Sequence, residues 1–334
     1  MSITKVALTP VEIEALVRAA FGNSARVVSA TSADSGMFNA GYHLSVGGAA
    51  PAKAFLKVAP PEGIAVLTYE HGMMRAEVDI LGTLSEAGVG RAPKVLATDF
   101  SRAIVGRDCF FMEHIEGQLL KELRSKLPRA DLLKLRKEIG HIAGTVGAVN
   151  VPRFGYPGVP SLQATSWPDA FARMFTALLD DAERFDAPLP MERQEIAERV
   201  RAARPLLDNT EAALVHFDLW DSNVLVAQDA DGWSVRSVID WERAFYGDPL
   251  AELVALTLFE DAAERDAAGQ GFEEARGHAL ASDERAAKRL ALYRAYLWLI
   301  MIVEAKPRGL GGSILLPTSA AAGRFVRDMA MATK

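Results

Sequence analysis

Apolar and polar positions change their period about a third of the way along this chain. Thr9-Pro10 opens a pattern of helical spacing that runs to about Ala20, with Thr9 as N-cap and Pro10 in the first turn. Two β-prone runs follow, 26–33 and 42–46, flanking the loop Ser35-Gly36-Met37-Phe38-Asn39-Ala40-Gly41. A short strand AFLKVA (54–59) carries one charge, Lys57, inside an apolar run. Leu67, Met74, Val78, Leu81 and Leu84 recur at helical spacing and predict a helix over 66–84. Strands are expected at 94–98 and 108–115, the second ending at Glu116-Gly117.

From Leu119 onward the pattern is helical and rich in Ala and Leu. Helices are expected near 129–150, 167–185 and 192–207, and a core helix at 290–302. VPRFGYPGVP (151–160) is a Pro/Gly-rich connector whose Phe154 and Tyr156 are expected to pack. One β-hairpin interrupts the helical part. VLVA (224–227) and SVRSVI (234–239) flank Asp231-Gly232, a dipeptide favoured in type I′ turns. With Asp231 and Gly232 as the two-residue loop, Ala230 faces Trp233, and Asn223 falls opposite Asp240.

That register concentrates the chemistry. Opposed residues in an antiparallel pair have Cβ atoms about 4.5–5.5 Å apart. Asn223 and Asp240 could therefore share one hard cation through oxygen ligands, a preference of Mg²⁺. Asp218 lies five residues before Asn223 on the loop feeding the first strand, with His216 two residues earlier. An Asp to orient a hydroxyl, with Asn and Asp to hold metal on a nucleotide, is the set of groups that phosphoryl transfer uses. Lys57 on its strand needs a counter-charge, and the helix after it offers Glu70 and Glu77.

H-F-D-L-W-D-S-N-V-L-V followed by V-I-D-W-E resembles the catalytic signature of the aminoglycoside phosphotransferase-like small-molecule kinases. The resemblance implies an α+β, bilobal protein-kinase-like fold. It consists of a small β-rich N-lobe with one main helix (1–116) and a larger, mostly helical C-lobe (117–334). It also implies that ATP or GTP is the phosphoryl donor and Mg²⁺ the cofactor, held by Asn223 and Asp240. Lys57 would neutralise phosphate charge and pair with Glu77 rather than Glu70, while Ser35 and Gly36 lie in the loop over the phosphates. The base would use the main chain of Glu113 and Ile115, with Met112 behind it. Asp218 would accept the acceptor's proton, and His216 would support the loop from the same side of an extended backbone. Glu242 could reach a second metal, and Asp248 would cap a helix while touching the catalytic loop. Acidic residues between Glu260 and Glu284 could line a pocket for a cationic acceptor, or form a solvated helical face.

The acceptor expected first is an aminoglycoside or other antibiotic, as in resistance. The alternative is metabolic: an amino alcohol, sugar or amino sugar. Protein kinase is a poorer match. Phe217 stands where that family has Arg, Trp-Glu follows Asp240, and neither G-x-G-x-x-G nor A-P-E occurs. A nucleotide-binding scaffold without catalysis is a further alternative, but every catalytic residue type is present.

A net charge of −6 among 334 residues argues against a nucleic-acid surface. The apolar run at 295–303 is far shorter than the ~20 residues a membrane span needs. No continuous apolar signal region occurs near the start, so a soluble cytoplasmic protein is expected, of unspecified oligomeric state. The single Cys109, in CFFM, is expected to be a small buried hydrophobe.

Overall fold

Alternation along the strands builds the N-terminal part. The computed structural model describes residues 4–33, 36, 38–48, 51–279, 283–309 and 317–333. Helix α1 (Pro10–Phe21) opens on a capping box: Thr9 accepts from the Glu12 amide, and Glu12 accepts from the Thr9 amide at 2.7 Å. Strands β1 (Arg26–Ser32), β2 (Ala40–Gly47), β3 (Lys53–Val58), β4 (Val95–Asp99) and β5 (Cys109–Glu113) form one antiparallel sheet in the order β1-β2-β3-β5-β4.

Side chains on a strand alternate between faces. Ala54, Leu56 and Val58 of β3, with Cys109 and Phe111 of β5, join the core under α1. Phe110 and Met112 join the core on the opposite face, with Ile80, Leu81 and Leu84 of α2 (Met73–Glu86). Lys57 is the register partner of Phe110, so it emerges on the α2 face. Cys109 is fully buried, and burial pushes its thiol up to about 12, consistent with a packing role.

The helix expected over 66–84 begins later than its periodicity indicated. Gly72 has left-handed backbone (φ 70°) and breaks the run, and Thr68–Glu70 forms a separate 3-10 turn. A Cβ at Gly72 would lie 3.0 Å from the Gly158 carbonyl, so the close approach of these two segments requires glycine there.

The C-terminal part is helical. It comprises a short α3 (Leu120–Leu123) after β6 (Gln118–Leu119), then α4 (Arg129–Val146), α5 (Trp167–Arg184) and α6 (Arg193–Ala203). After the hairpin segment come α7 (Glu252–Thr257), α8 (Ala262–Arg276), α9 (Glu284–Glu304) and α10 (Thr318–Ala332). Helix α9 is apolar on nearly all sides and runs through the core. Its Tyr293 and Tyr296 meet Trp167, Phe171 and Phe175 of α5, and Phe154 and Tyr156 are buried nearby. Helices α4 and α8 approach through glycines: a Cβ at Gly140 or Gly271 would stand 1.9 Å from a carbonyl of the other helix. No helix among the described residues is long and apolar enough to cross a membrane.

Between these helices lie β7 (Ala213–Val215), β8 (Val224–Asp229), β9 (Gly232–Val238) and β10 (Phe245–Gly247), in two small sheets, β6-β8-β9 and β10-β7. The hairpin exists, but its register differs from the expected one. Asp229 pairs with Gly232, so Ala230 and Asp231 form the loop. Neither has the positive φ that a type I′ turn demands, whereas Gly232 does, at 101°. Asp229 instead anchors the turn by accepting from the Asp231 amide at 3.0 Å. A bulge between Leu225 and Val226 restores part of the offset. At the far end the Ile239 amide donates to the Asn223 carbonyl at 2.9 Å, which leaves Asp240 one residue beyond the expected partner.

Candidate active site

Lys57 is the hub. Its Nζ lies 2.7 Å from Glu77, 2.6 Å from Asp240 and 3.0 Å from Glu242, joining β3, α2 and the segment after β9. Glu70 is not its partner, because it bonds the Leu67 amide at 2.7 Å and pairs with Arg308. Burial alone would push Lys57 down, but Asp240, Glu242 and Glu77 outweigh it and hold the ammonium well above its usual range. Glu77 also accepts from the Trp241 amide at 3.2 Å, fixing the backbone just after Asp240. Asp240 itself has left-handed backbone (φ 66°), a strained state for a non-glycine residue and one that clusters at functional sites.

Asp218 faces this hub from the C-terminal part. Burial raises its carboxyl to about 7, against the opposing charge of Arg243, whose Nε stands 4.0 Å away. Asn223 Nδ2 donates to the Asp218 carbonyl at 2.8 Å and to its carboxylate at 3.1 Å. Asn223 therefore holds the loop closed while its own Oδ1 remains available as a ligand. Oxygens of Glu77, Asp240 and Glu242 lie within 4.8 Å of one another, a donor set that suits a hard cation. Burial and the Asp240 charge raise Glu242 to about 8.

His216 supports the loop, by a route other than an extended backbone. Phe217 adopts φ 61°, and this turn brings the Asp218 amide to His216 Nδ1 at 3.2 Å. His216 Nε2 lies 3.0 Å from the Ile239 carbonyl, and its ring packs on Trp241 at 4.4 Å. Burial depresses it to about 4, so it is neutral at ordinary pH. Asp248 caps the Leu250 amide at 3.0 Å, but its other partners are Arg289 (2.7 Å) and Tyr293 (2.6 Å) of α9. Contact with the loop that carries Asp218 comes from Glu252, which accepts from the His216 amide at 2.5 Å.

The family signature gave no notice of Glu252, Arg243 or Asn39. Their partners stand on other elements, and only the order Asp-Trp-Glu-Arg after β9 hinted at a charged cluster. The acidic run divides: Asp261, Asp266 and Glu274 are exposed, as on a solvated helical face, while Glu260 and Glu264 turn inward. Glu260 and Glu264, with Asp221 of the loop between Asp218 and Asn223, surround Arg124 and the fully buried Arg136, the latter 2.6 Å from Asp221. Ser35 lies outside the described residues. Gly36 is exposed with φ 87°, Met112 is buried, and among the described residues the Ile115 amide donates to no backbone carbonyl.

This constellation can be set beside known proteins. The sequence profile described as the phosphotransferase enzyme family (APH) matches residues 29–290. The chain belongs to the phosphotransferase enzyme family. Among solved structures, this phosphotransferase shares its fold with a candidate fructosamine-3-kinase from Thermobifida fusca: TM-score 0.66, 19% identity, 96% of this chain and 98% of that one. A thermostable mutant of aminoglycoside phosphotransferase APH(4)-Ia, in ternary complex with ADP and hygromycin B, gives 0.62 at 18% identity, over 97% and 99%. The gentamicin complex of APH(2″)-IIa gives 0.62 at 14%, over 98% and 99%. No curated protein matches the sequence. At such identities the shared property is the fold: a β-sheet-rich N-terminal part and a helical C-terminal part.

Proposed function

We propose that this phosphotransferase moves the γ-phosphoryl group of ATP or GTP to a hydroxyl of a small molecule, with Mg²⁺ as cofactor. The observation that supports this most is Lys57 held at 2.7 Å from Glu77 and 2.6 Å from Asp240, opposite the Asp218–Asn223 pair. In this reading the lobes divide at Glu116-Gly117. The base would lie against the segment after β5, bonded by the Glu113 carbonyl and the Ile115 amide, with Met112 behind it. Gly36 and Ser35 belong to the loop over the phosphates. Lys57, kept charged and oriented by Glu77, neutralises phosphate oxygens.

Asp240 and Asn223 Oδ1 would hold the cation, with Glu242 able to add a ligand. When bound, Mg²⁺ offsets the charge that develops on the β- and γ-phosphoryl oxygens. The Asp218 carboxylate orients the acceptor hydroxyl and takes its proton. The acceptor oxygen bonds to the γ-phosphorus, the bond to the β–γ bridging oxygen breaks, and the nucleoside diphosphate leaves. Placement and charge neutralisation supply most of the rate. Such a nucleotide-dependent reaction belongs in the cytoplasm.

Two acceptor classes follow from the family. An aminoglycoside or other antibiotic gives a resistance enzyme, and an amino alcohol, sugar or amino sugar gives a metabolic kinase. One observation favours the second. The acids of the run between Glu260 and Glu284 that turn inward, together with the buried Glu304, already hold internal partners among the described residues. Glu260 and Glu264 pair with Arg124, Arg129 and Arg136, while Glu304 pairs with Arg243 and Arg308. The test is coupled nucleotide release with ATP and GTP over aminoglycosides, macrolides, nucleoside antibiotics, choline, sugars and amino sugars. Turnover that requires Asp218 is expected with one class. Turnover unchanged in Asp218→Ala would show that the base is misassigned.

A further inference from the structure

Asn39 ends the loop between β1 and β2, immediately before Ala40, and is 8% exposed. Its Nδ2 donates to Glu242 Oε2 at 2.5 Å, across 203 residues of sequence. Its Oδ1 is buried and has no partner among the described residues. A buried amide oxygen left so is costly and calls for an explanation, such as an ion or a water that completes it.

The surroundings narrow what could complete it. Two cations lie near the loop end: Lys57, whose three donors already meet three carboxylates, and Arg308, which pairs with Glu70 and Glu304. The other neighbouring groups, Asp240 and Glu77, are carboxylates that bond Lys57 and, for Glu77, the Trp241 amide. A phosphate oxygen is an acceptor and would be repelled by Oδ1. A divalent cation, or the protons of water bound to it, is attracted. Phe38 keeps the loop end in place: it is 7% exposed and lies under the Arg308 guanidinium at 5.7 Å.

We propose that Asn39 is a positioning residue for the divalent cation: Oδ1 receives the hydrated cation while Nδ2 holds Glu242 towards the same place. This rests on the reading of the cleft as a metal–nucleotide site. Its consequence is that Asn39 contributes to binding of the metal–nucleotide and not of the metal-free nucleotide.

The probe is Mn²⁺, titrated by electron paramagnetic resonance against the full chain saturated with ADP, beside calorimetry of ADP in EDTA. Asn39→Ala is expected to weaken Mn²⁺ binding about tenfold, the order seen when groups that orient metal ligands are removed. Metal-free ADP affinity should not change. Asn39→Asp keeps an acceptor oxygen and adds a negative charge beside the cation, which offsets the lost Nδ2 donor to Glu242, so it should recover most of the Mn²⁺ affinity and also decides the matter if the Ala variant does not fold. Unaltered Mn²⁺ affinity in Asn39→Ala overturns the proposal. So does an equal loss of metal-free ADP, which would mark a packing role, or an Asp variant about tenfold weaker than the wild type. A wild type that binds neither ADP nor Mn²⁺–ADP overturns the nucleotide-site reading and this one with it. Failure against a wild type that binds both removes this one alone.

Discussion

Replacing Asp218 by asparagine removes a negative charge that the fold holds against its preference. Burial lifts this carboxyl from 3.8 to about 7. About three pKa units at about 1.4 kcal/mol each sets an upper bound near 4 kcal/mol on the cost of the ionised form. The side chain remains 26% exposed and Arg243 stands 4.0 Å away, so solvent and that cation remove a good part of it. The expected gain for Asp218→Asn is about 1–2 kcal/mol at about pH 8, or about 2–3 °C in melting temperature for a chain this long. Asparagine keeps an oxygen for the Asn223 amide, so the loop's hydrogen bond survives.

The pH dependence distinguishes this cause from better packing. Between about pH 4 and pH 7 the folded protein binds a proton at Asp218 that the unfolded chain does not, so wild-type stability falls as pH rises through that window. The difference between variant and wild type should therefore close as pH falls from about 7 towards about 4. Activity should fall about 10²–10⁴-fold, the usual contribution of a general base. Urea melts of the metal-free, nucleotide-free protein across this range provide the assay. A variant less stable than wild type at every pH, or a gap that does not vary with pH, refutes the reasoning.

Three further substitutions test the frame around the site. Arg136→Ala leaves Asp221, Glu260 and Glu264 short of a buried counter-charge and should cost about 3–5 kcal/mol in urea unfolding; a loss below about 1 kcal/mol contradicts the buried network. Gly140→Ala should destabilise by about 1–3 kcal/mol, although alanine is the better helix former, because its Cβ would stand 1.9 Å from the Ala268 carbonyl. A gain in stability would show that α4 and α8 pack less closely. Glu252→Ala leaves the His216 amide unpaired and should cost about 1–3 kcal/mol; kcat should fall while nucleotide affinity, by calorimetry, stays the same.

What the sequence disclosed was mostly local. Lys57 stood out as a lone charge inside AFLKVA that needed a partner on the following helix, and Thr9-Pro10 set the first helix to within a residue. The spacing Asp218, Asn223, Asp240 was visible because one hairpin carries it. Its register was legible only to within one residue, since a type I′ rule was applied to a turn whose single positive φ is at Gly232, and a bulge shifted the far strand. The rest depends on pairings between distant segments. Glu260 looked like a solvated charge because its partners Arg124 and Arg136 lie on elements more than a hundred residues earlier. Glu252 looked like an ordinary first-turn acid in α7, and nothing local tied it to the His216 amide. Glu70 and Glu77 share one helical face by spacing alone, until Gly72 breaks the helix between them.

The central claim is that the cleft around Lys57 binds a magnesium nucleotide. The most direct measurement is the melting temperature with Mg–ATP and with Mg–GTP, for the wild type and for Lys57→Met, each against its own nucleotide-free baseline. At about a hundredfold excess over Kd, ligand binding adds about 2.7 kcal/mol, or about 4 °C for a chain of this length. At least one nucleotide should produce that rise in the wild type, and Lys57→Met should lose it. A wild type whose melting temperature neither nucleotide moves would contradict the account.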